Sequence, residues 1–128
     1  MMSSLFLRRI LALDALSCAG MGLLMGLGAA SLAPLFGLQE PLVRIAGLLL
    51  LPLAAFIGWL ASRHAPPRGL VWVVILGNLG WTAESFAVIA QAQPAITAVG
   101  AEFVSAQALA VLALAALEYV GLRKLRLA

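Results

Sequence analysis

The chain has 128 residues, of which 64% are hydrophobic and only 10% are charged, and its net charge is +3. A soluble domain has roughly half of its residues apolar and roughly a quarter charged, because polar side chains must cover its surface. This composition excludes a water-soluble globule. The eight basic residues are scattered and form no nucleic-acid-binding face. We therefore predict a single-domain integral membrane protein that is surrounded by lipid and has no nucleic-acid partner.

Four apolar segments follow one another along the chain, each close to the ~20 residues that cross ~30 Å of hydrocarbon as a helix. They cover residues 7–32, 42–61, 69–90 and 98–122. Stretches rich in proline, glycine or polar residues separate them. The first segment is longer than the apolar core of a cleavable signal, so we expect it to be retained. The predicted fold is all-α: a bundle of four transmembrane helices in up-down-up-down order.

Basic residues are distributed unevenly over the two sides of this predicted bundle. Arg44 alone falls on one side, and cytoplasmic segments carry the excess of lysine and arginine in membrane proteins. We therefore expect both termini and the middle connector to be cytoplasmic, in a bacterial inner membrane. The other seven basic residues fall on that side: Arg8, Arg9, Arg63, Arg68, Arg123, Lys124 and Arg126.

Small residues recur every four positions in the first segment, and Gly22 and Gly26 are at the centre of this stripe. Such stripes let a second helix backbone approach closely in a membrane. Two interpretations are open: packing within the bundle, or homodimerisation through the glycines. The partners that we expect are therefore lipid and either another membrane-protein subunit or a second copy of the chain.

Two acidic residues, Asp14 and Glu118, lie about one turn inside the predicted cytoplasmic boundary. A charged group in hydrocarbon is costly unless it is paired or reaches water. We expect each of these residues to form an interfacial charge pair with the neighbouring arginines and so to fix the register of its helix.

Polar side chains also cluster in the outer half of the third and fourth segments. Their residue types are consistent with three roles: hydrogen bonds between helices, a ligand or lipid-headgroup pocket that opens outward, or a proton path. In the pocket hypothesis, Glu84 and Glu102 face one another. The candidate pocket residues are Asn78, Trp81, Thr82, Glu84, Ser85, Glu102 and Gln107.

Residues for catalysis or metal binding are sparse. The one histidine, His64, falls in a connector, and the one cysteine, Cys18, falls within an apolar segment. We therefore expect no cofactor, no metal site and no enzymatic activity. The expected function is that of a binding or accessory subunit. The alternative is a small transporter, or a lipid- or small-ligand-binding protein, that uses the pocket around Glu84 and Glu102.

Three segments of the chain resemble small four-helix bacterial membrane proteins. They are Leu-Arg-Arg-Ile-Leu-Ala-Leu-Asp-Ala at residues 7–15, the stretch 72–81 with its Gly77-Asn78 pair, and Leu-Glu-Tyr-Val-Gly-Leu-Arg at residues 117–123. The resemblance implies a four-helix membrane fold and no known activity.

Overall fold

The computed structural model contains four α-helices: α1 (Met2–Phe36), α2 (Glu40–Ser62), α3 (Arg68–Gln91) and α4 (Ala98–Leu127). It describes the backbone of residues 2–127 and the side chains of residues 4–124. Each helix is long and apolar enough to cross a membrane. The all-helical class and the four membrane-length helices predicted from the sequence are thus confirmed.

Helix α1 is longer than the predicted segment at both ends. We expected Pro34 to fall in a loop, but it lies in the last turn of α1. The helix ends at Gly37, which adopts a left-handed φ of 70°. The Leu38 N–H donates to the Ala33 carbonyl at 3.0 Å, which is the bond that closes a helix beyond a C-terminal glycine. Glycine, and not proline, therefore sets this boundary.

The four helices form an incomplete ring. Helix α1 packs against α2 and α4, and α3 packs against α4, whereas α2 and α3 hardly meet. At one end, the Arg8 Nε donates to the Ala61 carbonyl at 3.1 Å and the Arg68 Nη1 donates to the Leu122 carbonyl at 3.1 Å. These bonds bring the start of α1, the α2–α3 connector and the end of α4 together. We call this the basic end.

The opposite end is held by contacts between α1 and the start of α4. The Thr97 N–H donates to the Phe36 carbonyl at 2.9 Å, and the Thr97 hydroxyl donates to the Leu35 carbonyl at 2.8 Å. The rings of Phe36 and Phe103 stack with their centroids 4.6 Å apart. Helices α1 and α4 therefore stay together to the end opposite the basic one.

Buried apolar side chains form a core near the basic end and a smaller one toward the opposite end. The smaller core consists of Ala29, Ala33 and Val43. Large apolar residues also cover the outside, where Leu16 and Leu27 are 71% and 78% exposed, as suits lipid surroundings. The larger core contains Leu7, Leu11, Ala15, Ile57, Leu60, Val71, Val74, Ile75, Ala115 and Leu122.

The glycine stripe of α1 lies against α2. A Cβ added to Gly22 would be 2.9 Å from the Gly47 carbonyl oxygen, and one added to Gly26 would be 3.1 Å from the Leu48 side chain. A Cβ on Gly47 would collide with the Gly26 backbone nitrogen. In this structure the stripe therefore serves packing within the bundle, the first of the two interpretations.

Replacing Gly47 with leucine should destabilise the fold, because the new side chain meets backbone that cannot move aside. Overpacking typically costs about 1–3 kcal/mol, and we expect at least the upper part of that range. Gly20→Leu is the matched control, because a Cβ at Gly20 has no neighbour within 4 Å. Thermal unfolding in detergent measures the difference. Equal midpoints for the two variants would contradict the close α1–α2 packing.

Candidate functional site

Three polar side chains from three helices meet in the interior of the bundle. Asp14 of α1, Asn78 of α3 and Glu118 of α4 are 1%, 8% and 0% exposed. The Asn78 Nδ2 donates to the Asp14 Oδ2 at 2.8 Å and to the Glu118 Oε1 at 2.9 Å. Both hydrogens of one amide nitrogen are therefore used to bridge two carboxyl groups. We call these three residues the carboxyl–amide cluster.

The cluster lies well inside the basic end. Glu118 is four residues from Leu122 and Asn78 is ten residues from Arg68, so the two positions are about 6 and 15 Å along their helices at 1.5 Å per residue. Both lie inside spans that are long and apolar enough to cross a membrane. Polar groups at such a depth must be satisfied by one another, because hydrocarbon supplies no hydrogen bonds.

This arrangement differs from the arginine pairs expected for Asp14 and Glu118. Within residues 4–124, the one ion pair joins Arg44 to Glu40 at 2.6 Å. Asp14 follows Leu7 and Leu11 at helical spacing, so it shares their buried face and points into the bundle. The helical face, and not the distance from the helix end, decides the partner of each carboxyl group.

Cys18 extends the cluster by one turn along α1. Its Sγ donates to the Asp14 Oδ1 at 3.6 Å. Both oxygens of Asp14 therefore have a donor. In Glu118, by contrast, the buried Oε2 has no hydrogen-bond partner, which is an uncommon state for a buried polar atom.

A second polar group joins α3 to α4 farther from the basic end. The Gln107 Oε1 accepts from the Trp81 Nε1 at 2.8 Å, and the Gln107 Nε2 donates to the Ser85 Oγ at 2.8 Å. The Ser85 hydroxyl in turn donates to the Trp81 carbonyl at 2.7 Å. These three side chains form a closed ring of hydrogen bonds, here called the Trp81 clasp. These bonds fix the position of the Trp81 indole relative to α3 and α4.

The remaining candidate pocket residues separate into buried and exposed ones. Thr82 is buried, and its hydroxyl bonds to the carbonyls of Asn78 and Ala108 at 2.9 and 3.3 Å. Glu84 and Glu102 are both exposed. Glu84 borders a cavity, whereas Glu102 lines neither of the two cavities described below. The two carboxylates that were expected to form the centre of the pocket therefore lie at its edge or outside it.

The gap between α2 and α3 contains two cavities, one on each side of the Trp81 clasp. The lower cleft, nearer the basic end, has a volume of about 360 Å³ and reaches Asp14, Cys18 and Asn78. Its other walls are mainly apolar and include Leu53 and Val73, which are 44% and 57% exposed at its mouth. The upper cleft has a volume of about 300 Å³ and is bordered by Glu84. Trp81 and Gln107 line both.

The lower cleft combines the features of a small-molecule site. Such sites are concave and mostly apolar, with a few polar groups that fix the orientation of a ligand. Here the polar groups are those of Asp14, Asn78 and the Trp81 clasp. Sequence reasoning included Asn78, Trp81 and Gln107 among the candidates but assigned Asp14 to the membrane boundary.

Comparison with known proteins found no match to this chain. No protein-family model matches the chain, and neither a curated protein nor a solved structure does. The functional argument therefore comes from the geometry of the chain itself.

Replacing Asn78 with leucine should destabilise the protein, because both carboxyl groups lose their shared donor. An unsatisfied buried polar group costs about 1–3 kcal/mol, so we expect a loss of at least this size. Glu84→Gln serves as the control, since Glu84 is exposed and its substitution should leave stability unchanged. Chemical denaturation in detergent compares the two. A stable Asn78→Leu variant would contradict the bridging role of the amide.

Proposed function

We propose that this protein is a non-enzymatic integral membrane protein that binds a small, largely apolar molecule from the bilayer. The observation that carries this proposal is the lower cleft, whose mouth lies between α2 and α3 and whose floor holds Asp14 and Asn78. A cleft in this position receives molecules that are already dissolved in lipid. Its volume of about 360 Å³ falls within the ~300–1,000 Å³ range of ligand pockets.

The chemistry of the cleft floor narrows the class of ligand. The walls contributed by α2 are the apolar side chains of Leu50, Leu53, Phe56 and Ile57. The floor presents carboxyl oxygens and an amide, which favour a ligand with a hydrogen-bond donor. A long-chain alcohol or amine combines both properties. Its chain would replace lipid between α2 and α3, and its polar group would reach Asp14 and Asn78.

A transporter that uses Glu84 and Glu102 has less support. The two carboxylates are exposed, and Glu102 lines neither cleft. An accessory-subunit role is compatible with the same cleft if a helix of another protein fills it. The experiment on the cleft described below separates this role from binding of a small molecule.

For the membrane arrangement we propose up-down-up-down helices with both termini in the cytoplasm of a bacterium. Support comes from the basic end, where Arg8 and Arg68 lie beside the ends of α2 and α4. Arg44, the exception, is on α2 four residues after Glu40 and pairs with it. The Arg126 side chain, which belongs to the same charge argument, lies outside the described residues.

Reporter fusions should reveal this orientation. A reporter that is active only in the cytoplasm should give signal when it is fused to the C-terminus and when it is inserted after Pro67. The reason is the concentration of basic residues on that side. A reporter that is active only in the periplasm serves as the control and should stay silent at both sites. Periplasmic signal at either site would overturn the orientation.

Filling the lower cleft should prevent ligand binding without harming the fold. Gly77 lines the cleft, and a Cβ added there has no neighbour within 4 Å. Gly77→Leu therefore adds a side chain at the cleft whose Cβ meets no neighbour. Gly80→Leu is the matched control, because Gly80 is equally open but lines neither cleft.

Trp81 provides the signal for this test, because the Trp59→Phe and Trp72→Phe substitutions leave it as the one tryptophan. In liposomes that contain a brominated long-chain alcohol, its fluorescence should be quenched. We expect at least a twofold weaker quenching in Gly77→Leu and no change in Gly80→Leu. A brominated alkane of equal length should quench less than the alcohol. Equal quenching in all variants, or no quenching because a partner helix fills the cleft, would refute the proposal.

A further inference from the structure

The carboxyl–amide cluster has more acceptors than donors. Its two carboxyl groups contain four oxygens, and three of these receive a hydrogen bond: two from Asn78 and one from Cys18. The fourth, the Glu118 Oε2, is buried and has no partner. An ionised carboxylate only accepts hydrogen bonds, whereas a protonated one also donates. The missing partner is therefore explained if a hydrogen resides on that oxygen.

The charges around the cluster lead to the same conclusion. Helix α1 contributes Asp14 and Cys18, α4 contributes Glu118, and α3 contributes the neutral Asn78. The part of α2 that lines the lower cleft is apolar. Two arginines of the basic end, Arg8 and Arg68, donate to backbone carbonyls, and no ion pair within residues 4–124 includes Asp14 or Glu118. Two ionised carboxylates would thus lie together in an apolar interior without a cation, an arrangement that carboxyl pairs avoid by retaining a proton.

We propose that the carboxyl–amide cluster is a proton-binding site in which Asp14 and Glu118 hold a single proton, carried on the Glu118 Oε2. Both carboxyl groups accept from the one Asn78 amide nitrogen, at 2.8 and 2.9 Å, so they lie side by side, and the Asp14 carboxyl is the acceptor for this hydrogen. Asp14 then keeps the one negative charge, and it also receives the Asn78 and Cys18 hydrogens. The charged group thus collects the donors, as expected because hydrogen bonds to an ionised group are the stronger ones.

The cluster also has a route to its surroundings. Asp14, Cys18 and Asn78 line the lower cleft, whereas Glu118 does not. The charged carboxylate of the pair therefore faces the cleft and the protonated carboxyl lies behind it. This inference goes beyond the proposed ligand binding and does not depend on it, because the proton is held by residues of the chain itself.

Infrared spectroscopy of the purified full-length protein in a detergent that has no carbonyl groups tests the site, because a protonated carboxyl has a carbonyl stretch that a carboxylate lacks. At neutral pH, the wild-type protein should show this band. Glu118→Gln and Asp14→Asn should each lose it, because the one carboxyl that remains can carry the single negative charge of the cluster without a proton. Glu84→Gln and Glu102→Gln are the controls, and both should retain the wild-type band. The absence of the band from the wild type, or its persistence in Glu118→Gln, would overturn the proposal.

The pH dependence of thermal stability gives a second measurement that does not rely on spectral assignment. A carboxyl that is protonated in the folded state and ionised in the unfolded state makes the protein less stable as the pH rises. The reason is that the folded state binds more protons than the unfolded state. Wild-type stability should therefore fall as the pH rises above about 4.3, the pKa at which a free glutamate ionises. Glu118→Gln should fold, since its amide supplies a hydrogen in place of the proton, and should lack this fall. Identical profiles for the two proteins would refute the shared proton.

Discussion

The need to satisfy polar groups without water governs the interior of this bundle. One amide, that of Asn78, lies between two carboxyl groups on two other helices and bonds to both. Hydrocarbon offers these groups no hydrogen bonds in exchange for the bridge, so the bridge fixes α1, α3 and α4 relative to one another. The position of the lower cleft follows, because two of the three bridging residues, Asp14 and Asn78, form its floor. Only α2 takes no part in the bridge.

Much of the fold could be predicted from composition and hydropathy. Four continuous apolar runs predicted four membrane-length helices, and the structure contains them. The boundaries were less predictable, because the first segment was expected to end at residue 32, whereas α1 continues through Pro34 and ends at the left-handed Gly37. The orientation in the membrane and the location in a bacterial inner membrane stay predictions, since they depend on the surroundings of the chain.

The candidate site was predicted in part. Helical spacing grouped Asn78 with polar residues of α3 and α4. Of these residues, Trp81, Ser85 and Gln107 bond to one another in the structure. Asn78 bonds instead to Asp14 and Glu118. Asp14 and Glu118 were assigned to arginines from their distance to the helix ends. Spacing from Leu7 and Leu11 places Asp14 on the buried face, a signal that was present in the sequence. The meeting of Asn78 with both carboxyl groups could not be predicted, because it depends on how three helices are rotated against each other.

Helix α2 packs closely against one other helix, α1. It rests on α1 across Gly22, Gly26 and Gly47, where backbone lies close to backbone, and it hardly meets α3. The glycines of α1 leave room there for the Leu48 and Leu51 side chains of α2. Rotation of α2 about this contact would change the width of both clefts while the Asn78 bridge and the Trp81 clasp stay intact. Movement of α2 relative to α1 would therefore open or close both clefts, whereas α1, α3 and α4 would keep their mutual arrangement.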